Sequence, residues 1–253
     1  KLRDYLAAWL ENVVRPNVKR TTYASYRDAV KARILPHIGG IDVQELRPRD
    51  VDMWVQSLAK KGLSYGTIRQ TKTVLSIALK YAVYPAELIT VNPVTGITIP
   101  RSAPRKVTPR VVITAQQFAS IPVEEKYYHT YKILYHTGLR ISEALGLTWD
   151  DIDLVTGEIS IVRQRQRTGY FDTPKTTTST RTFYVDAAFL SYLRTLKARQ
   201  AKQEMFLGEV YQVVYEVADG RELVILPKKI PAPKGFIRRP LLCVLPNGMP
   251  HKH

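Results

Sequence analysis

A twenty-residue stretch with no sustained helical or strand period, Val91–Arg110 (VNPVTGITIPRSAPRKVTPR), divides this sequence, and its four prolines and four basic residues set the terms for any fold. Such a segment reads as a linker between two modest cores in preference to one large one. The expected organisation is therefore an α-helical domain over residues 1–92, a basic Pro-rich linker over 93–112 and a second domain over 113–253. Arg101, Arg105, Lys106 and Arg110 have no acidic neighbour within the segment, which suits a strap crossing a phosphate backbone better than an ordinary solvated face.

Before the linker the apolar residues recur with helical spacing. Tyr5, Leu6, Trp9, Leu10 and Val13 form one stripe; Tyr23, Tyr26, Val30 and Ile34 form a second, with Pro36 expected to stop it. Pro48 suits the first turn of a third helix that buries Val51, Trp54, Val55 and Leu58. Ser64 is a candidate N-cap for a fourth, with Ile68, Thr71, Leu75, Ala78, Leu79 and Ala82 inward. Arg69 and Lys72 lie on its polar side, as candidate contacts to a DNA backbone or as solvated charges.

After the linker, Thr114-Ala115-Gln116-Gln117 has the form of a capping box, and the helix it opens is expected to continue through Tyr127, Tyr131, Leu134 and Tyr135 to Thr137-Gly138. A short helix around Ser142–Leu147 follows. The alternation Glu158-Ile159-Ser160-Ile161-Val162 and the β-prone Thr182-Phe183-Tyr184-Val185 then flank a basic, Thr-containing stretch, so a small sheet is expected among helices. Helical character returns from Phe189 to Met205, and Val210–Val217 has strand or irregular character. Gly220–Gly235 gives no clear pattern. The fold class is thus mainly α with a small inserted antiparallel β-sheet, in two domains.

Thirty-eight Lys and Arg against 22 Asp and Glu give a formal charge of +16, spread along the chain, which favours a polyanionic partner: nucleic acid first, an anionic membrane surface as the rival. No apolar run approaches the roughly 18 residues of a membrane span, and Lys1-Leu2-Arg3-Asp4 shows no secretory apolar core. A single cysteine, Cys243, excludes an internal disulfide framework or a cysteine-based metal cluster; it sits in an apolar run and is expected to be buried and inert. His129 and His136 are seven residues apart with no third ligand nearby, which argues against zinc, and no G-x-S-x-G elbow is present for a serine hydrolase.

The chemistry is concentrated in Thr137-Gly138-Leu139-Arg140-Ile141-Ser142-Glu143-Ala144-Leu145-Gly146-Leu147-Thr148-Trp149-Asp150-Asp151-Ile152-Asp153. A glycine turn between two helices places Arg140 near a helix N-terminus, where backbone N–H groups and a guanidinium can converge on a phosphodiester. Arginine is suited to this because its planar fork gives two donors and stays charged. The plainer alternative is a structural Arg140–Glu143 ion pair. Further on, Lys175 stands where a hairpin tip could present a proton to a departing oxygen, the alternative being a solvated lysine.

These segments resemble the tyrosine recombinase (phage integrase) family, of the phage or conjugative-transposon type. The first matches the box T-G-L-R-x-S-E-x-L-x-L-x-W-x-D-I-D, and Lys175-Thr176-Thr177-Thr178-Ser179-Thr180-Arg181 matches the β-hairpin motif K-T-x-x-S-x-R. The resemblance implies a two-domain clamp around duplex DNA, with Arg140 as a catalytic arginine, Lys175 as general acid and Glu143 as a support that transfers no proton. Arg181 joins Arg69, Lys72, Arg101, Arg105, Lys106 and Arg110 as DNA-binding candidates. It also implies site-specific recombination through a 3′-phosphotyrosyl link without metal or nucleotide cofactor, a homo-oligomer on double-stranded DNA with accessory bending or excision factors, and a bacterial cytoplasmic, nucleoid-associated location. Residues 208–239 depart from the family pattern. The box H-x-L-R-H and a following tyrosine are not found before Pro250-His251-Lys252-His253, where a loop is expected, so the chain reads as C-terminally incomplete, without its nucleophile and inactive as it stands. The competing reading is a non-catalytic, sequence-specific DNA-binding module.

Overall fold

The computed structural model describes residues 1–105, 109, 111–173, 180–217 and 221–252. Its contacts divide the chain into two compact units, Lys1–Val111 and Val112–His253. Each is built around its own apolar core.

In the first unit, α1 (Leu2–Trp9) runs through a wide π-type turn, Leu10–Val14, into α2 (Arg15–Asn17). The same construction recurs in α3 (Arg20–Ala29), the π-type turn Val30–Ile34 and α4 (Leu35–Ile38). Pro36 therefore does not stop the second helix. In both cases an i→i−5 bond, Arg15 N–H to Leu10 O and Leu35 N–H to Val30 O, closes the wide turn just before the proline. Proline lacks an N–H, and its ring would meet the carbonyl four residues back; the wide turn accommodates it.

The third and fourth helices are α5 (Pro48–Lys60) and α6 (Tyr65–Val83). Every apolar position assigned inward on α5 and α6, together with Thr71, is buried. Two of the large aromatics have their polar atoms satisfied: Trp54 Nε1 donates to the Arg33 carbonyl at 2.7 Å and the Tyr5 hydroxyl to the Ala78 carbonyl at 2.6 Å. Ser64 caps α6, its hydroxyl accepting the Thr67 N–H at 3.3 Å. Ser64→Ala is expected to cost about 1 kcal/mol of stability, as measured by urea unfolding.

The stretch expected to link the domains is, over its first part, built into this unit. Val94 and Ala103 are each 2% exposed within the core cluster. Asn92 donates to the Ser76 carbonyl at 2.9 Å, and the Lys72 ammonium donates to the Ile97 carbonyl at 2.6 Å. Small apolar residues between the prolines supply the burial, Lys72 from α6 satisfies a backbone carbonyl of the stretch, and Asn92 of the stretch bonds the α6 backbone in return.

In the second unit the Thr114 capping box forms, but α7 (Ala115–Ala119) is short and α8 (Tyr128–Thr137) starts afresh. One continuous helix was expected here; Pro122 lies in the break. Gly138, left-handed at φ +63°, ends α8, and α9 (Ile141–Ala144) and a 3₁₀ turn (Trp149–Asp151) follow. Strand β1 (Glu158–Ile161) pairs antiparallel with β4 (Arg181–Tyr184), and β2 (Gln164–Arg165) with β3 (Phe171–Asp172). α10 (Ala187–Leu207) packs Phe189, Leu190, Leu193 and Leu196 inward.

The described part of residues 208–239, unreadable in part from sequence, forms a third antiparallel sheet ordered β6-β5-β7, from β5 (Gln212–Val217), β6 (Leu223–Pro227) and β7 (Phe236–Arg238). The fold is helix-rich with small antiparallel sheets, as expected, but with more strand than the single sheet anticipated. Among the described residues no helix is long and apolar enough to cross a membrane.

Candidate active site

Arg140 is the residue before α9, in extended conformation, and its neighbour across one turn is Glu143. The Glu143 carboxylate accepts the Arg140 backbone N–H at 3.0 Å and one guanidinium nitrogen, Nη1, at 2.8 Å. The structural ion pair thus exists. It does not consume the arginine: Nε and Nη2 make no hydrogen bond among the described residues, and the side chain is 71% exposed against 3% for Glu143. One part of the expected geometry changes. The Arg140 N–H is taken by Glu143 and α9 spans only four residues, so the guanidinium, and not a helix N-terminus, is the group left open to an anion.

Arg181 reaches the same carboxylate from β4, its Nη1 and Nη2 at 3.4 and 3.0 Å from the two oxygens. Burial alone would push the Glu143 carboxyl up. The Arg181 guanidinium, then the Arg140 N–H and side chain, outweigh it and hold Glu143 down at about 2, ionised throughout the physiological range. One negative charge thus faces two guanidiniums, and the three side chains together carry a net positive charge suited to a phosphate.

The rest of the motif is scaffold. Asp151 accepts the Thr148 N–H and hydroxyl at 2.8 and 2.7 Å, and Arg163 at 2.5 Å. The Trp149 indole donates to Gln200 at 2.8 Å, and Gln200 donates to the Leu242 carbonyl at 2.9 Å, which ties the segment to α10 and the chain's last described stretch. Arg163 escaped the sequence reading because nothing local pairs it with Asp151, 12 residues earlier.

Of the other sequence candidates, Lys175, Lys106 and Arg110 lie outside the described residues. Arg69 and Arg101 are exposed in the first unit. Lys72 is occupied on Ile97, and the Arg105 guanidinium lies 4.4 Å from the centre of the Tyr65 ring, so both hold the first unit together. Cys243 is fully buried and burial pushes its thiol up to about 11, in keeping with an inert role.

His251 lies outside regular secondary structure, as expected, but it is buried: it is 1% exposed, with Nδ1 2.5 Å from the Thr130 hydroxyl and its carbonyl accepting from Arg165. Burial first, and then the Arg165 charge, lower its imidazole to about 4, so it is neutral. His129 is engaged by Tyr192 at 2.7 Å and Arg199 at 3.3 Å, and His136 stacks on Phe189. Among the described residues no group of three His, Cys, Asp or Glu could hold a metal ion.

Residues 1–59 match the family model for the phage integrase N-terminal SAM-like domain, and residues 106–225, which include Arg140, Glu143 and Arg181, match that of the phage integrase family. The chain belongs to the phage integrase family of tyrosine recombinases. Among relatives of this family, a tyrosine recombinase XerC-like protein of Caldanaerobacter subterraneus subsp. tengcongensis is 27% identical over 229 residues, 83% of this chain and 58% of the relative. The transposase from transposon Tn916 of Enterococcus faecalis is 26% identical over 202 residues, 75% of this chain and 49% of the relative. The chain therefore spans about half to three-fifths of the length of these integrases and recombinases.

Its fold is shared with solved members. The Tn1549 transposon integrase in complex with a circular intermediate DNA superposes with a TM-score of 0.71 at 23% identity, covering 100% of this chain and 74% of that one. A lambda integrase dimer bound to a COC′ core site gives a TM-score of 0.56 at 17% identity, covering 82% and 55%.

Proposed function

We propose that this integrase-family chain carries part of the machinery for site-specific DNA recombination, with Arg140 holding the scissile phosphate. The observation that carries this reading is the division of labour in the Arg140 guanidinium: Nη1 is fixed on Glu143, while the Nε/Nη2 edge remains available to two non-bridging oxygens. A phosphate whose charge grows during attack would be bound more tightly at the pentacoordinate stage than at rest. In this reading a tyrosine oxygen displaces the 5′-oxygen from phosphorus and leaves a 3′-phosphotyrosyl link. Lys175 gives its proton to the departing oxygen. A 5′-hydroxyl then reverses the step, with neither metal nor nucleotide. No tyrosine of this chain is assigned as nucleophile.

The wider reading follows from membership and charge. Residues 1–92 serve as a core-binding domain, 93–112 contribute basic backbone contacts, and 113–253 are catalytic, the two domains acting as a clamp on double-stranded DNA. Arg69, Arg101, Lys106 and Arg110 are the DNA contacts this reading retains. Solved relatives are described as bound to DNA as dimer or tetramer, and the curated relatives include transposases and integrases of mobile elements. The corresponding proposal here is a homo-oligomer on mobile-element DNA in the bacterial cytoplasm.

The test is a nicked suicide duplex carrying the element's end sequence, incubated with protein expressed from the complete coding sequence. A covalent protein–DNA adduct resistant to denaturant is the expected result. Duplex binding without any adduct on a panel of end sequences would favour the second reading, a DNA-binding module, for which the +16 formal charge is also sufficient.

A further inference from the structure

We infer that Arg181 is a positioning residue: it locks the Glu143 carboxylate in place, and through it the Arg140 guanidinium, and it does not itself grip DNA. The inference rests on the reading of Arg140 as the phosphate-binding residue. It replaces the direct DNA contact that sequence alone suggested for Arg181.

The geometry argues for it as follows. An Arg–Glu pair at i,i+3 on a single turn of helix is weakly constrained, because both side chains keep several rotamers and either can swing to solvent. Here the pair sits on a four-residue helix, with the arginine mostly exposed. Burial of Glu143 and the Arg140 N–H hold one carboxylate oxygen, and the second guanidinium, approaching from another element, adds a bond to each oxygen. Arg181 stands opposite Ile161 in the β1–β4 ladder, and Ile161 is 1% exposed, so the base of the Arg181 side chain is anchored in the core.

From there both terminal nitrogens address both carboxylate oxygens. A carboxylate held across two oxygens has a fixed plane, and the remaining lone pairs then dictate where Arg140 Nη1 must lie. Arg140 needs that help because its available edge must meet phosphate oxygens within a few tenths of an ångström to be useful. Arg181 is 38% exposed, about half the value for Arg140, which is consistent with a side chain turned toward the protein.

The test uses the protein from the complete coding sequence in single-turnover cleavage of the suicide duplex, with Arg181→Gln, Glu143→Gln and the double variant compared. Arg181→Gln is expected to lower the cleavage rate constant at saturating DNA by up to about a hundredfold, with duplex affinity near wild type. On the Glu143→Gln background the same change should cost little more, because the group through which it acts is already altered. Arg181→Lys, which keeps the charge and a single donor, should fall between; it also serves if Arg181→Gln does not fold.

A full additional loss in the double variant, or a fall in duplex affinity parallel to the fall in rate, would mean that Arg181 works on the DNA directly and would overturn the inference. Should the wild-type protein form no adduct, the functional reading fails separately. The Arg140 Nε–H resonance then decides: side-chain order lost in Arg181→Gln supports positioning, and unchanged order refutes it.

Discussion

Replacing Arg140 by lysine is expected to slow strand cleavage by about 10²–10³-fold while leaving binding of the duplex and folding stability near wild type. Lysine preserves one positive charge and can still pair with Glu143, so the structural half of the residue's work survives. What disappears is the Nε/Nη2 edge, two donors with fixed geometry, for which a single rotating ammonium is a poor substitute at a trigonal-bipyramidal phosphate. A loss of that size corresponds to about 3–4 kcal/mol of transition-state stabilisation. Single-turnover kinetics and thermal unfolding on the same preparation separate the possibilities. A melting temperature that fell in step with activity would make Arg140 a structural ion-pair residue and nothing more.

Gly248→Ala should destabilise the second unit by about 3 kcal/mol or more. Gly248 adopts φ +83°, and a Cβ added there would stand 2.1 Å from the Gln212 carbonyl oxygen and 2.7 Å from the Tyr211 ring. A backbone oxygen at that distance cannot yield as a flexible side chain would. The turn must move away from β5, which breaks the bond from Gln212 N–H to the Asn247 carbonyl, now 2.8 Å. Gly169 supplies the control: it has the same φ, +83°, but open space where its Cβ would be, so Gly169→Ala should cost only about 1 kcal/mol. Amide hydrogen exchange across β5 and Leu242–His251 reads the difference. Equal effects of the two substitutions would show that backbone strain, and not the close approach, dominates.

The helices of the first unit were legible because each buries one face and repeats its apolar residues at helical spacing. The reading failed where a local rule met a larger context. Pro36 looks like a stop, and becomes compatible with a continuing helix only through a wide turn that no residue in Val30–Ile34 announces. The Thr114 capping box correctly marks a helix start but says nothing of its length, which ends before Pro122. β6 was unreadable because its residues are half-buried or exposed, so no clean alternation is imposed on the sequence.

The candidate site was half legible for a similar reason. Arg140 and Glu143 are close in sequence, whereas Arg181 joins them from 38 residues beyond Glu143 through the register of β1 with β4. His251 is in a loop, as read, but its burial was not legible because it depends on Thr130, 121 residues earlier. Contacts at that range leave no mark on the local pattern.

The paired wide turns in the first two helices bear on how the first unit would take a change of length. Each holds one residue more than a regular α-turn, immediately ahead of a proline. Losing one residue from Leu10–Val14 or Val30–Ile34 would restore regular winding, but it would also drive the proline ring onto the carbonyl four residues back. It would turn everything upstream by about 100° as well, taking Leu6 or Tyr26 off the buried face. A single-residue deletion there is therefore expected to destabilise the first unit on both counts, and replacing the proline would relieve only the first. Pro16 and Pro36 in this way tie the length of each wide turn to the register of the core.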